Sequence, residues 1–352
     1  MIATLLSGDA PRSRVLSVLL LAVLVCLALA PFLFPGTRSL DTAARICVFI
    51  LLVASYDLLL GYGGIVSFAH TMFFGMGAYG VALSCEYLGR SWGALAFGIG
   101  AGSVAAIAAA FLIGLFSLRV RAIFFAMITL AVASAVAVLV SQLSQITGGE
   151  DGLNYQIPRA LTPAFKFMDE PVFGVRMNGK LLNYYVVFAG SLVGVLFLLR
   201  VVNSPFGRVL QAIRENDFRA EAIGYRVVQY RVAATCLSAA IAAFAGALYA
   251  IWLRYVGPST VLSMEIMLDI LLMVVIGGMG TIYGAVLGAT LFVVAQNYLQ
   301  ELMGLAAGAF EGLPILPALL SPDRWLLWLG LLFILSVYFF PTGIVGRLRD
   351  GR

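Results

Sequence analysis

Charge is scarce in this chain. Of 352 residues, 22 are basic and 17 acidic, 11% together, where a soluble domain carries roughly 25%; 62% are hydrophobic. That balance excludes a soluble globular protein, and it leaves little room for a soluble catalytic module beside a membrane anchor. Histidine occurs once, as His70, so a multi-histidine metal site is excluded and no Ser-His-Asp arrangement stands out. The only lysines are Lys166 and Lys180. Neither follows Gly-x4-Gly, so the chain has no phosphate-binding loop of that kind and any ATP chemistry must lie on another chain. Cys26, Cys47, Cys85 and Cys236 are widely separated and read as small apolar residues, not as metal ligands or a disulfide framework.

What is abundant is long apolar sequence. Runs lie near 15–34, 44–60, 65–84, 93–117, 121–143, 182–202, 232–253, 264–276, 281–302 and 324–341, and a bilayer core takes about 20 apolar residues per helix. The reading is an all-α integral membrane protein with about ten transmembrane or re-entrant helices in a single domain over 1–352. The 264–276 run spans only about 20 Å as a helix, so it must be extended by its flanks or be broken. The 65–84 run, with its glycines and histidine, is suspect in the same way. The first run ends Ala28-Leu29-Ala30, which imitates a signal-cleavage site, but Pro31 directly after it argues for an uncleaved first helix.

The net charge of +5 reads as topology and not as a nucleic-acid partner, because the basic residues flank apolar runs. With the N-terminus inside and the segments alternating, the inner side holds thirteen cations, among them Arg12, Arg14, Arg119, Arg121, Arg200, Arg347, Arg349 and Arg352, against five acids. The outer side holds nine cations and ten acids. This bias places both termini in the cytoplasm.

Hydrophilic sequence interrupts the spans twice. The 147–181 segment carries Pro158, Pro163 and Pro171 and reads as an extracytoplasmic loop with short strands or a surface helix. Within the inner 203–231 segment, Val209, Leu210 and Ile213 recur at helical spacing beside Arg208, Arg214 and Glu215, which predicts an amphipathic helix lying along the membrane. Asp217 is expected to cap a second short helix through Glu221 and Ala222, ended by Gly224. This is either a solvated connector or a docking surface for a partner.

In the run Gly61-Tyr62-Gly63-Gly64-Ile65-Val66-Ser67, glycine at 61, 63 and 64 is expected to break the preceding helix and allows positive φ, which lipid tolerates only where the freed backbone is buried or lines a wet cavity. A second break is expected at Gly277-Gly278-Met279-Gly280, about 216 residues on. Paired interruptions of this kind point to a transporter of two related halves with its pathway at their interface. The same glycines, with the Gly284-x3-Gly288 motif, also suit close helix packing. His70, beside Ser67 and Thr71, either donates to a polar solute or satisfies a freed carbonyl. Asp57 and Asp269 are acids at or near apolar runs, and read as caps, snorkelling groups or proton-coupling sites.

Five ordered motifs carry a resemblance: Leu58 to His70 with Phe73-Phe74-Gly75-Met76-Gly77-Ala78-Tyr79; Thr147-Gly148-Gly149-Glu150-Asp151-Gly152-Leu153; Ser204-Pro205-Phe206-Gly207-Arg208 with Ala212-Ile213-Arg214-Glu215-Asn216 and Ala222-Ile223-Gly224; Ser238-Ala239-Ala240 with Ala245 to Tyr249; and Met273 to Thr281. From about 45 to 346 the chain is similar to the LivM-type permease subunits of high-affinity branched-chain amino acid ABC importers. The resemblance implies a second permease subunit, LivH-like or similar, two cytoplasmic ATPase subunits and a periplasmic solute-binding protein, in the bacterial inner membrane with its lipid. It implies no cofactor or metal on this chain, with ATP and Mg on the ATPase. Gly61, Gly63, Gly64, Ser67, His70, Thr71, Gly75, Gly77, Tyr79, Gly277, Gly278 and Gly280 would line the path. The inner loop, with Arg208, Arg214, Glu215, Asp217, Glu221, Ala222 and Gly224, would couple to the ATPase, and Thr147, Gly148, Asp151 and Gly152 would face the binding protein. The residues alone leave open an ion-coupled secondary transporter, whereas scattered acids and one histidine offer no convergent catalytic set for an enzyme.

Overall fold

The computed structural model describes residues 13–33, 36–117, 122–165, 178–309, 321–339 and 343–350. Arg12, Arg119, Arg121 and Arg352, together with 166–177 of the 147–181 segment, lie outside the described residues. In chain order the longer helices are α1 (Arg14–Ala28), α2 (Thr37–Asp57), α3 (His70–Leu88), α4 (Trp92–Ser117), α5 (Ala122–Gln142), α6 (Gly179–Val202), α7 (Pro205–Glu215), α8 (Asp217–Ala222), α9 (Val227–Leu253), α10 (Met264–Gly277), α11 (Ile282–Ala309), α12 (Trp325–Phe339) and α13 (Gly343–Asp350). The described β-structure is one antiparallel pair, β1 (Leu153–Asn154) with β2 (Tyr255–Val256).

Among the described residues, seven helical segments are long and apolar enough to cross a membrane. The short 264–276 run is extended by its flank: a helical turn at Pro258–Val261 precedes α10, and Pro258–Gly277 together reach 20 residues. The 65–84 run is not helical throughout, since the chain from 63 to 69 is irregular and α3 begins only at His70. The first and last apolar runs give 15-residue helices, each about 22 Å long at 1.5 Å per residue and short of a full span.

Core position follows from how the apolar residues are spread. In α2 the residues from Ile46 to Ala54 are all buried, because the helix is apolar all round and other helices enclose it. By contrast α4 and α5 expose large apolar side chains such as Val104, Phe116 and Ile123, the surface that lipid covers. Small residues bring α3, α4 and α9 into backbone contact. A Cβ at Gly80 would lie 2.6 Å from the Gly98 carbonyl oxygen and 2.8 Å from Gly102 Cα, and one at Gly77 would land on the Ala243 backbone. Glycine at these positions is therefore a packing requirement.

Candidate functional site

The two glycine breaks meet. Helix α2 loosens after Asp57 into a single π turn, Leu58–Tyr62, a widening that recurs at functional sites. Of the three glycines that permit positive φ there, only Gly64 adopts it, at 66°; Gly61 stays within the π turn and Gly63 has φ −90°. Neither Gly61 nor Gly63 needs the left-handed region, because the π turn itself ends the helix. At the second break α10 runs through Gly277, Gly278 and Gly280 have φ 115° and 83°, and Thr281 Oγ1 accepts the Gly284 N–H (3.1 Å) to start α11.

Asp57 joins the breaks: it is 1% exposed, and its Oδ1 accepts the Gly280 N–H at 2.8 Å. The Arg214 guanidinium, from the last turn of α7, donates to the Gly61 carbonyl. Its stem lies over glycine backbone, since an added Cβ would come 3.0 Å from Arg214 Cγ at Gly64 and 3.0 Å from Arg214 Nη1 at Gly280. The 203–231 segment thus reaches the junction through one arginine. No side chain fits at Gly61, where a Cβ would meet the Asp57 carboxylate and the Gly280 amide.

His70 lies beside this junction, fully buried. Its Nε2 is 3.2 Å from Ser55 Oγ and 3.1 Å from Ser238 Oγ. Ser55 donates its proton to the Leu52 carbonyl and Ser238 donates to the Ser55 carbonyl. With both hydroxyl protons committed, the ring must be the donor, so Nε2 carries hydrogen. His70 thereby ties α2, α3 and α9 together.

The 203–231 segment folds into two helices. Leu210 and Ile213 of α7 are buried while Arg208, Arg214 and Glu215 are exposed, the amphipathic order the spacing predicts. The expected Asp217 cap is not formed: Asn216, extended at φ −161°, accepts the Arg219 N–H (2.8 Å). Asp217 already sits in the helix, where its carboxylate cannot reach that position, and it pairs instead with Arg231 at 3.4 Å. Gly224, φ 98°, closes α8, with its own N–H bonded to Glu221 O (2.9 Å) and the Tyr225 N–H to Ala220 O (3.1 Å), the two bonds of a Schellman ending. Glu221 and Ala222 are exposed. Phe218 and Ile223, 80% and 69% exposed, form an apolar tip.

At the other end of α9, Thr147 Oγ1 donates to Val140 O (2.6 Å) and Leu143 O (2.8 Å), and Gly148, Gly149 and Gly152 all take positive φ. β1 then pairs with β2, and Tyr255 donates to the Asp151 carbonyl at 3.1 Å. Tyr155 anchors the loop through the Ala250 carbonyl (2.6 Å), and burial, foremost, holds its phenol well above the ordinary value. Glu150 and Asp151 remain exposed.

The structure therefore gathers Gly61, Gly64, Gly280 and Arg214 at one point. Ser67 and Thr71 are buried nearby in sequence, but Gly75 faces the Leu262 side chain, Gly77 faces α9 and Gly277 faces Gly284. Tyr79 is buried, with its hydroxyl lacking a partner among the described residues. Sequence reasoning missed the Asp57–Gly280 bond, for which the only signal was an acid at the end of an apolar run. It also missed Ser55 and Ser238 as the partners of His70. No group of three or more His, Cys, Asp or Glu among the described residues is disposed to hold a metal ion.

A multi-pass helical membrane protein whose 203–231 segment is tied to paired helix breaks is built as a transport subunit. The family model described as "Branched-chain amino acid transport system / permease component" matches residues 39–337, and the chain belongs to that family; it is a permease component and not an enzyme, as its motifs imply. It is similar to the high-affinity branched-chain amino acid transport system permease protein LivM of Salmonella typhimurium, 30% identical over 318 residues that cover 86% of this chain and 73% of the relative. The protein of that name from Escherichia coli is 30% identical over 326 residues, 88% and 75% of the two chains. A probable LivM permease of Methanocaldococcus jannaschii is 31% identical over 168 residues, 48% and 47%. No solved structure matches.

Proposed function

We propose that this chain, as one domain over 1–352, forms half of the translocation path of an ATP-driven importer for branched-chain amino acids or a related small polar organic solute. It sits in the bacterial inner membrane as about ten helices in two related halves, with both termini cytoplasmic. A second permease subunit completes the path, two ATPase subunits carrying ATP and Mg dock on α7 and α8, and a periplasmic binding protein delivers solute to the Thr147–Gly152 side. The observation that carries this reading is Arg214, which connects the inner loop to the Gly61 and Gly280 breaks. Movement of α7 by the ATPase would then act directly on the irregular backbone that interrupts the path.

The test uses the assembled complex in proteoliposomes with binding protein outside and ATP inside. Wild type is expected to accumulate leucine only with ATP. Phe218→Asp, which places a charge on the apolar tip, is expected to weaken ATPase association about tenfold or more, the scale of an interface anchor. Uphill uptake by this chain without ATPase, abolished by collapsing an ion gradient, would overturn the reading.

A further inference from the structure

A cavity of about 510 Å³ opens at the end of α9 remote from the inner loop, within the size range of small-molecule sites. Asp41 and Arg45 of α2, Lys180 of α6 and Arg254 at the end of α9 supply its charge. Lys180 Nζ lies 3.1 Å from Asp41 Oδ1 and 5.5 Å from the centre of the Trp252 ring. A carboxylate beside an aromatic face is an ammonium-binding corner, here filled by the protein's own tethered ammonium. Both partners of that pair are partly exposed, and pairs of this kind are weak and readily exchanged.

The pair cancels itself, so Arg45 and Arg254 carry the remaining positive charge of the lining. Arg45 lies within electrostatic reach of the Tyr249 side chain, and its Nε is buried without a partner among the described residues, so its donors are not all used. Asp269 of α10 is within electrostatic reach of Arg45, yet it takes its hydrogen bond from Gln296 (3.4 Å). Arg254 is the one residue with a Cβ among those described that adopts positive φ, 58°. Such strain persists where the surroundings enforce it, and it is concentrated at functional sites. Leu161 and Leu253 add apolar wall.

We propose that this cavity is a receiving site for an aliphatic α-amino acid, whose carboxylate binds Arg45 with Arg254 and whose ammonium competes with Lys180 for the Asp41 and Trp252 corner. The proposal rests on the importer reading and adds where solute first meets this chain. Because Lys180 fills the ammonium corner, the carboxylate and the apolar body carry most of the affinity in the wild type.

The test measures equilibrium binding of L-leucine and of 4-methylpentanoate, its analogue without the amine, to the full complex in nanodiscs without binding protein. Both are expected to bind saturably and within about twofold of each other. Arg45→Gln is expected to weaken both at least tenfold while Arg45→Lys retains binding; Arg254→Gln carries the same expectation should Arg45→Gln fail to assemble. Lys180→Met is expected to raise the preference for leucine over 4-methylpentanoate at least fivefold, a change that simple loss of structure would not produce. Absence of saturable binding, unchanged binding in Arg45→Gln, or loss of binding-protein association in that variant with solute binding intact overturns the site. Uptake assays separate the two levels: no ATP-driven uptake by wild type defeats the importer reading, whereas equal uptake by wild type and Arg45→Gln defeats only the receiving site.

Discussion

Replacing Gly61 by Ala tests the junction most directly. The new Cβ would fall on the Asp57 carboxylate and the Gly280 amide, and neither can yield cheaply: one is 1% exposed and held by a 2.8 Å hydrogen bond, and the other is main chain. Overpacking costs about 1–3 kcal/mol, and leaving the Gly280 N–H without its acceptor about 1–3 kcal/mol. Removing a helical glycine returns roughly 0.5–1 kcal/mol. The net is a loss of about 2–5 kcal/mol, a large share of the 5–15 kcal/mol typical of a folded chain. At roughly 2 °C per kcal/mol for a chain of this size, Tm should fall by about 4–10 °C. Gly100→Ala is the matched control, since no atom lies within 4 Å of its added Cβ; it should be neutral or slightly stabilising. Thermal unfolding of the purified complex, paired with ATP-driven uptake, reads both variants. A Gly61→Ala protein as stable and as active as Gly100→Ala would refute the close approach of the two breaks.

Two further perturbations separate charge from geometry. Asp57→Asn keeps an oxygen able to accept the Gly280 N–H, so ATP-driven uptake should stay within about threefold of wild type; abolished uptake with intact assembly would show that the carboxyl group itself is required. His70→Leu removes the donor shared by Ser55 and Ser238 and should cost about 1–3 kcal/mol of stability while uptake per folded complex persists. Lost uptake at unchanged Tm would instead place His70 in contact with solute.

The apolar runs marked the helices well because hydropathy is a sum over neighbours and needs no partner. The same local logic found the order of α7 and the ending at Gly224. It failed at the cap of α8, where Asn216 acts in place of Asp217: both are good capping residues, and only backbone direction at the helix start separates them. It placed the break at 61–64 but not its form, since composition cannot distinguish a left-handed turn from a π turn followed by a single left-handed glycine at Gly64.

Composition and motif order by themselves determined that the chain is a helical membrane permease without a nucleotide-binding loop of its own. Both follow from what the residues can or cannot do in hydrocarbon and at a phosphate. Only the tertiary structure decided that Asp57 binds Gly280, 223 positions away, that Arg214 lies over the same glycines, and that Lys180 occupies a corner between Asp41 and Trp252. These contacts join residues remote in sequence, and each depends on helix directions and close backbone approach that no local pattern encodes.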